Sequence, residues 1–170
     1  MKREQVIVFL TKYMFMFMAA SMIGWVYEIA CVRILYNTYY DRGILHLPMC
    51  PIYGFGMLML LVIFRKVRNP VGIFVGSTLF TTALELASSY ILEYKFNMIL
   101  WTYEDWPLSF QNRISAVSSC MFGLMALMVM KLIKPIADKL FESEYKMRAA
   151  MTVVVVFLLC VIWEVSSYGL

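Results

Sequence analysis

Five long apolar runs, separated by short polar connections that hold most of the basic residues, leave this chain few ways to fold. They cover about Tyr13 to Cys31, Pro51 to Phe64, Pro70 to Leu92, Ile114 to Met130 and Ala149 to Tyr168. A membrane-spanning helix needs about 20 mostly apolar residues, and four of the runs qualify comfortably. The second is short and follows Pro48-Met-Cys-Pro51, so it either borrows from the preceding loop or enters the bilayer as a partly re-entrant segment. Pro51 and Pro70 suit first helical turns, where a missing N–H costs nothing. The composition agrees: 62% of residues are apolar or aromatic, 15% are charged and the mean hydropathy is +0.75. A soluble domain is about 45–50% apolar and about 25% charged, and 170 residues are too few to hide such an excess in one core. A soluble enzyme, a secreted disulfide scaffold and a disordered tail are excluded. The expected fold is an all-α polytopic membrane helical bundle of about five transmembrane helices, with residues 1–170 forming a single integral membrane domain.

The basic residues set the expected orientation. Lys2, Arg3 and Lys12 precede the first run; Arg65, Lys66 and Arg68 lie between the second and third. Lys131, Lys134, Lys139, Lys146 and Arg148 lie between the fourth and fifth, making eleven of fifteen on one side. The positive-inside rule predicts a multi-pass protein of the cell membrane with its N-terminus cytoplasmic and its C-terminus extracellular. Residues from Lys131 to Arg148 are expected as a short amphipathic cytoplasmic helix or loop. The net charge of +4 is topological and gives no reason to expect nucleic acid. Tyr36, Tyr39, Tyr40, Trp101, Tyr103 and Trp106 in the outer loops fit an interfacial aromatic belt.

Charges inside spans are costly, by about 2.5–3.5 kcal/mol on insertion scales, and each demands a reason. Glu28, Glu85, Glu93 and Glu164 all fall in the outer half, and Arg113 opens the fourth run from the same side. Glu85 is fifteen residues beyond Pro70, roughly 22 Å along the helix axis. Thr78, Thr81, Thr82, Glu85, Ser88, Ser89 and Glu93 recur every three or four residues and draw one polar stripe on the third span. Ser115, Ser118, Ser119 and Gly123 do the same on the fourth. Such stripes are buried against one another or around a water-filled cavity. The serines and threonines can bond their own backbone or bridge helices, Glu93 and Glu164 can reach headgroup water, and Glu85 and Glu28 can pair with Arg113 or Arg42. The arrangement expected is a polar vestibule open to the outside. Its candidate ligand-binding residues are Glu28, Arg42, Tyr53, Glu85, Ser89, Glu93 and Arg113.

Other chemistry is absent. There is no Walker A loop for ATP hydrolysis. His46 stands alone, and Cys31, Cys50, Cys120 and Cys160 lack metal or redox spacing. Met14, Met16 and Met18 alternate and so point in different directions round a helix. Neither a metal site nor a cofactor is expected, and no nucleophile–base pair identifies a catalytic residue.

Gly24-Trp25-Val26-Tyr27-Glu28, Arg42-Gly43 and Cys50-Pro51-Ile52-Tyr53-Gly54-Phe55-Gly56 resemble the ABC-transporter type IV, or CmpB-like permease, family of bacterial membrane proteins. The resemblance continues through Glu85-Leu-Ala-Ser-Ser-Tyr90-Ile-Leu-Glu93, Trp101-x-Tyr103, Trp106-Pro107 and Phe110-Gln111-Asn112-Arg113-Ile114. It spans roughly residues 20–125. The family pattern has glycine where this chain has Asn112, a change expected to alter the turn entering the fourth span. The resemblance implies a small polytopic protein.

Three function classes fit. The favoured one is a transport component or membrane-embedded binding module for a small polar or cationic solute, with Glu28, Glu85 and Glu93 as counter-charges. Its ATPase or permease subunit would be a separate chain, and a homo- or hetero-oligomer within membrane lipid is expected. The second is an intramembrane enzyme acting on a lipid or cell-envelope precursor at the outer leaflet, with Glu85 or Glu28 as acid or base. There Arg42 and Arg113 would hold an anionic headgroup. The third is a scaffold or regulatory subunit.

Overall fold

A computed structural model of the chain describes residues 3–38, 47–99 and 101–168. Helix α1 runs over Arg3–Tyr36, α2 over Pro51–Ile63 and α3 over Pro70–Phe96. A two-stranded hairpin, β1 (Ser109–Phe110) and β2 (Ile114–Ser115), precedes α4 (Ala116–Met128). A π-helical turn, Val129–Ile133, leads into α5 (Lys134–Glu142), and α6 (Glu144–Tyr168) follows. Four stretches are long and apolar enough to cross a membrane: Arg3–Ile34, Pro70–Phe96, Ala116–Glu142 and Glu144–Ser167. Helix α2 is apolar but has only 13 residues, about 20 Å of rise against a hydrocarbon layer of about 30 Å. The all-α polytopic membrane architecture is therefore found, with four helices long enough to cross and a fifth apolar helix, α2, that is shorter.

Local chemistry explains the helix ends. Asn69 accepts a hydrogen bond from the Val71 N–H at 3.1 Å, and Pro70 takes the first turn of α3. At the other end Asn97 turns left-handed, with φ 52°. The Asn97 N–H reaches the Glu93 carbonyl at 3.0 Å and the Met98 N–H reaches the Leu92 carbonyl at 3.1 Å, an αL-type stop with Asn in glycine's usual place. The stretch after Met130, expected as an amphipathic helix or loop, is continuous helix as far as Glu142. Pro135 has no N–H to give and crowds the carbonyl four residues back, at Lys131. The π-helical turn spans that carbonyl and carries the helix past the proline.

The chain divides into two compact units, Met1–Val62 with Val129–Leu170, and Ile63–Met128. In the first, α1 packs on α5 and α6, around Met16, Ala20, Met57, Leu61, Val129 and Ala137. Gly24 lies flat against the Tyr53 ring, leaving no room for a Cβ. The Cys50 N–H donates to the Ser21 carbonyl at 3.0 Å, so the start of α2 is tied to α1. At the other end of this unit Lys12 and Lys134 both pair with Asp138. The second unit is α3 against α4, closed at one end by the connection that contains the hairpin.

Candidate functional site

The polar stripes of α3 and α4 meet face to face. The Thr82 hydroxyl donates to Ser119 Oγ at 2.7 Å, while Ser77, Thr81 and Ser89 return their hydroxyl protons to carbonyls in their own helix. This releases those hydroxyls from any need for water inside the bilayer. One turn beyond Thr82, the Tyr103 hydroxyl donates to Glu85 Oε1 at 2.5 Å and lies 2.9 Å from Ser118 Oγ. Tyr103 and Ser118 are buried. The Tyr103 N–H also donates to the Asn112 carbonyl at 2.9 Å, so one residue joins α3, α4 and the hairpin.

Two turns beyond Glu85, about 12 Å along the axis, Glu93 forms an ion pair with Arg113. The Arg113 guanidinium lies 4.3 Å from the centre of the Tyr90 ring, a cation–π contact. Tyr90 in turn donates its hydroxyl proton to Gln111 Oε1, and the Trp101 indole N–H donates to the Arg113 carbonyl at 3.2 Å. The hydrogen bond to Glu93 lifts the Arg113 pKa above its already high ordinary value, overcoming the opposing effect of desolvation. Arg113 is charged at every accessible pH. These residues bound a cavity of about 250 Å³ whose wall includes Ser89, Glu93, Trp101, Gln111 and Arg113.

The seven candidates are thus distributed unevenly. Ser89, Glu93 and Arg113 share the cavity. Glu85 is on the same α3 face but is engaged by Tyr103. Arg113 pairs with Glu93 and not with Glu85, because the hairpin turn delivers it two helical turns further along α3. Glu28 and Tyr53 belong to the first unit, where the Tyr53 hydroxyl donates to Glu28 Oε1 at 2.5 Å. Arg42 lies outside the described residues. Glu164 is buried in α6, at 8% exposure, rather than in headgroup water. Sequence reasoning passes over Tyr90, Tyr103 and Gln111 as site components. The Trp101-x-Tyr103 motif carries a signal for Tyr103, whereas nothing in the spacing marks Gln111.

A family model described as Putative ABC-transporter type IV matches residues 15–166. The chain belongs to this family. No curated protein and no solved structure matches it. Membership and the long apolar helices together make it a multi-pass membrane protein and a transport-related component. Asn112, where the resemblance leads one to expect glycine, has φ 58°, and Gln111 before it has φ 52°. With the Arg113 N–H bonded to the Phe110 carbonyl at 3.1 Å, this is the pattern of a type I′ turn, in which both central residues are left-handed. Asn is the best tolerated substitute for glycine there, so the departure keeps the turn and the placement of Arg113. Asn112→Gly is expected to leave the thermal midpoint of the detergent-solubilised protein unchanged or slightly raised. Asn112→Val should cost about 1–2 kcal/mol, the left-handed penalty for an ordinary residue; an unaltered valine variant would contradict this turn.

Proposed function

We propose that this chain is the membrane-embedded solute-binding component of a transport system, with the polar cavity beside Glu93 and Arg113 as its solute site, open to the outer side. The observation that carries the reading is the cavity itself: about 250 Å³ of space with a carboxylate, a guanidinium and a serine hydroxyl in one wall. Ionisable groups near a membrane are retained where they face partners or a water-filled path, and a concave site with a few convergent polar groups is the usual form of a small-molecule site. Glu93 is the counter-charge for a small polar or cationic solute, and Glu85 braces the floor through Tyr103. An N-terminus in the cytoplasm with the C-terminus outside follows from the basic residues and requires α2 to cross with help from the segment before it. Energy comes from an ATPase on a separate chain, in keeping with the family's description and the missing Walker A loop. Assembly as a homo- or hetero-oligomer in membrane lipid completes this reading.

Ser89→Phe tests it by filling the cavity without removing a charge. A solute at one hundred times its Kd stabilises its protein by about 2.7 kcal/mol. Small cationic and zwitterionic solutes screened against the purified protein should include at least one that raises its thermal midpoint, and the Ser89→Phe substitution should abolish that rise. A stabilising solute that acts equally on the variant would place the site elsewhere.

A further inference from the structure

The two charges in the cavity wall only partly satisfy each other. Among the described residues, the Arg113 side chain makes one hydrogen bond, from Nη2 to Glu93 Oε2, and Glu93 Oε1 accepts none. The Tyr90 ring covers one face of the guanidinium plane at 4.3 Å. A ligand therefore meets the guanidinium at its edge, where the N–H fork suits a carboxylate or phosphate. Both side chains remain within reach of a ligand, at 19% exposure for Arg113 and 34% for Glu93.

We infer that the cavity takes a small zwitterion, its anionic group on Arg113 and its ammonium group on Glu93, an assignment that rests on the solute-site reading above. A lone cation beside Glu93 meets the like charge of Arg113, and a lone anion beside Arg113 meets Glu93. Only a ligand with both signs is attracted at both ends. Size narrows the class further. A volume of about 250 Å³ corresponds to roughly eight waters at about 30 Å³ each; it lies below the range of about 300–1,000 Å³ usual for drug-sized ligands. The remaining wall is apolar where Leu92 and Met98 contribute, and the Trp101 N–H is already committed to the Arg113 carbonyl. Such a wall suits the methyl or methylene groups of an alkylated ammonium better than a hydrated one, and aromatic rings add to the attraction for that group. The same chemistry is offered by a free zwitterionic solute and by the headgroup of a zwitterionic lipid.

The full chain, purified in detergent, is titrated by calorimetry with glycine betaine, sn-glycerophosphocholine, choline and acetate. At least one of the two zwitterions should bind ten-fold or more tightly than choline and acetate. Glu93→Gln and Arg113→Lys should each reduce that preference to about three-fold or less, with Ser89→Phe removing binding altogether. If Arg113→Lys does not fold, the Glu93→Gln and Ser89→Phe variants carry the same comparison. Choline or acetate binding as tightly as both zwitterions would overturn the zwitterion assignment while leaving a solute site in place. Binding of none of the four probes would overturn both. The source is read in nanodiscs: competition of betaine by phosphatidylcholine, but not by phosphatidylglycerol alone, identifies a lipid headgroup, and its absence a free solute.

Discussion

Tyr103→Ala is expected to lower the unfolding free energy of the α3–α4 unit by about 3–5 kcal/mol, the usual range for removing a large buried aromatic ring. The ring is 9% exposed and meets Trp106 edge-on, with centroids 5.2 Å apart. Its hydroxyl links Glu85 to Ser118, and its backbone is bonded to both Asn112 and Trp106. Tyr103→Phe separates ring from hydroxyl. It keeps the packing and removes only the bonds to Glu85 and Ser118. Interhelical hydrogen bonds in membranes average about 0.6 kcal/mol and reach about 1.7; a carboxylate acceptor belongs to the upper part of that range. The phenylalanine variant should therefore lose about 1–2 kcal/mol. Unfolding of the purified protein in mixed dodecyl sulfate micelles measures both. Equal losses for the two variants would mean that the hydroxyl network, not the ring, holds the connection on the helices. A loss below about 0.5 kcal/mol for alanine would remove Tyr103 from the core altogether.

The contrast between Tyr103 and its neighbours explains which parts of this molecule can be read from its residues. The stripe from Thr78 to Glu93 and the Ser118–Ser119 pair obey helical periodicity, and the mating of α3 with α4 follows because lipid offers those hydroxyls no partner. Tyr90, although on α3, acquires its role from Arg113 above its ring, and Arg113 arrives by way of a hairpin. Residues 97–115 have no period at all. Among the described ones, Asn97, Leu108, Gln111 and Asn112 are left-handed and turn the backbone, and of these only the Asn residues advertise that conformation. Residues 131–142 are the converse case. Their mixed charges suggest an amphipathic helix or loop with a solvated face. On the helix that forms, Lys134 and Asp138, one turn apart, pair with each other, while Lys12 of α1 completes the cluster. Charge alone does not end a helix when its partners are on the same face. Pairing across distant parts of the chain leaves no mark on local spacing, which is also why Glu28 meets Tyr53 and Glu93, not Glu85, meets Arg113.

Gly123→Val should disrupt the same helix pair from the other side. A Cβ at Gly123 would sit 2.9 Å from two carbons of the Phe74 ring and closer still to Thr78 Oγ1. Both obstacles are on α3, so the helices must separate or the ring must leave its rotamer. Overpacking of this kind costs about 1–3 kcal/mol and occasionally more, and valine adds two methyl groups to an already blocked Cβ. A loss of about 3 kcal/mol is expected, with the Thr82–Ser119 and Tyr103–Ser118 bonds weakened as α4 moves. Gly56→Val is the matching control, because nothing lies within 4 Å of a Cβ there; replacing a helical glycine by valine should even return a few tenths of a kcal/mol. The Thr78 hydroxyl, buried and without a hydrogen-bond partner among the described residues, supplies the decisive comparison. Thr78→Ala alone sacrifices no bond and should cost little. Combined with Gly123→Ala it removes the nearest obstacle, so the double variant should be more stable than the sum of the single losses by about 0.5–3 kcal/mol, the range for side chains in direct contact. Strict additivity would show that Gly123 and Thr78 do not touch, and that another pair of surfaces brings α3 and α4 together.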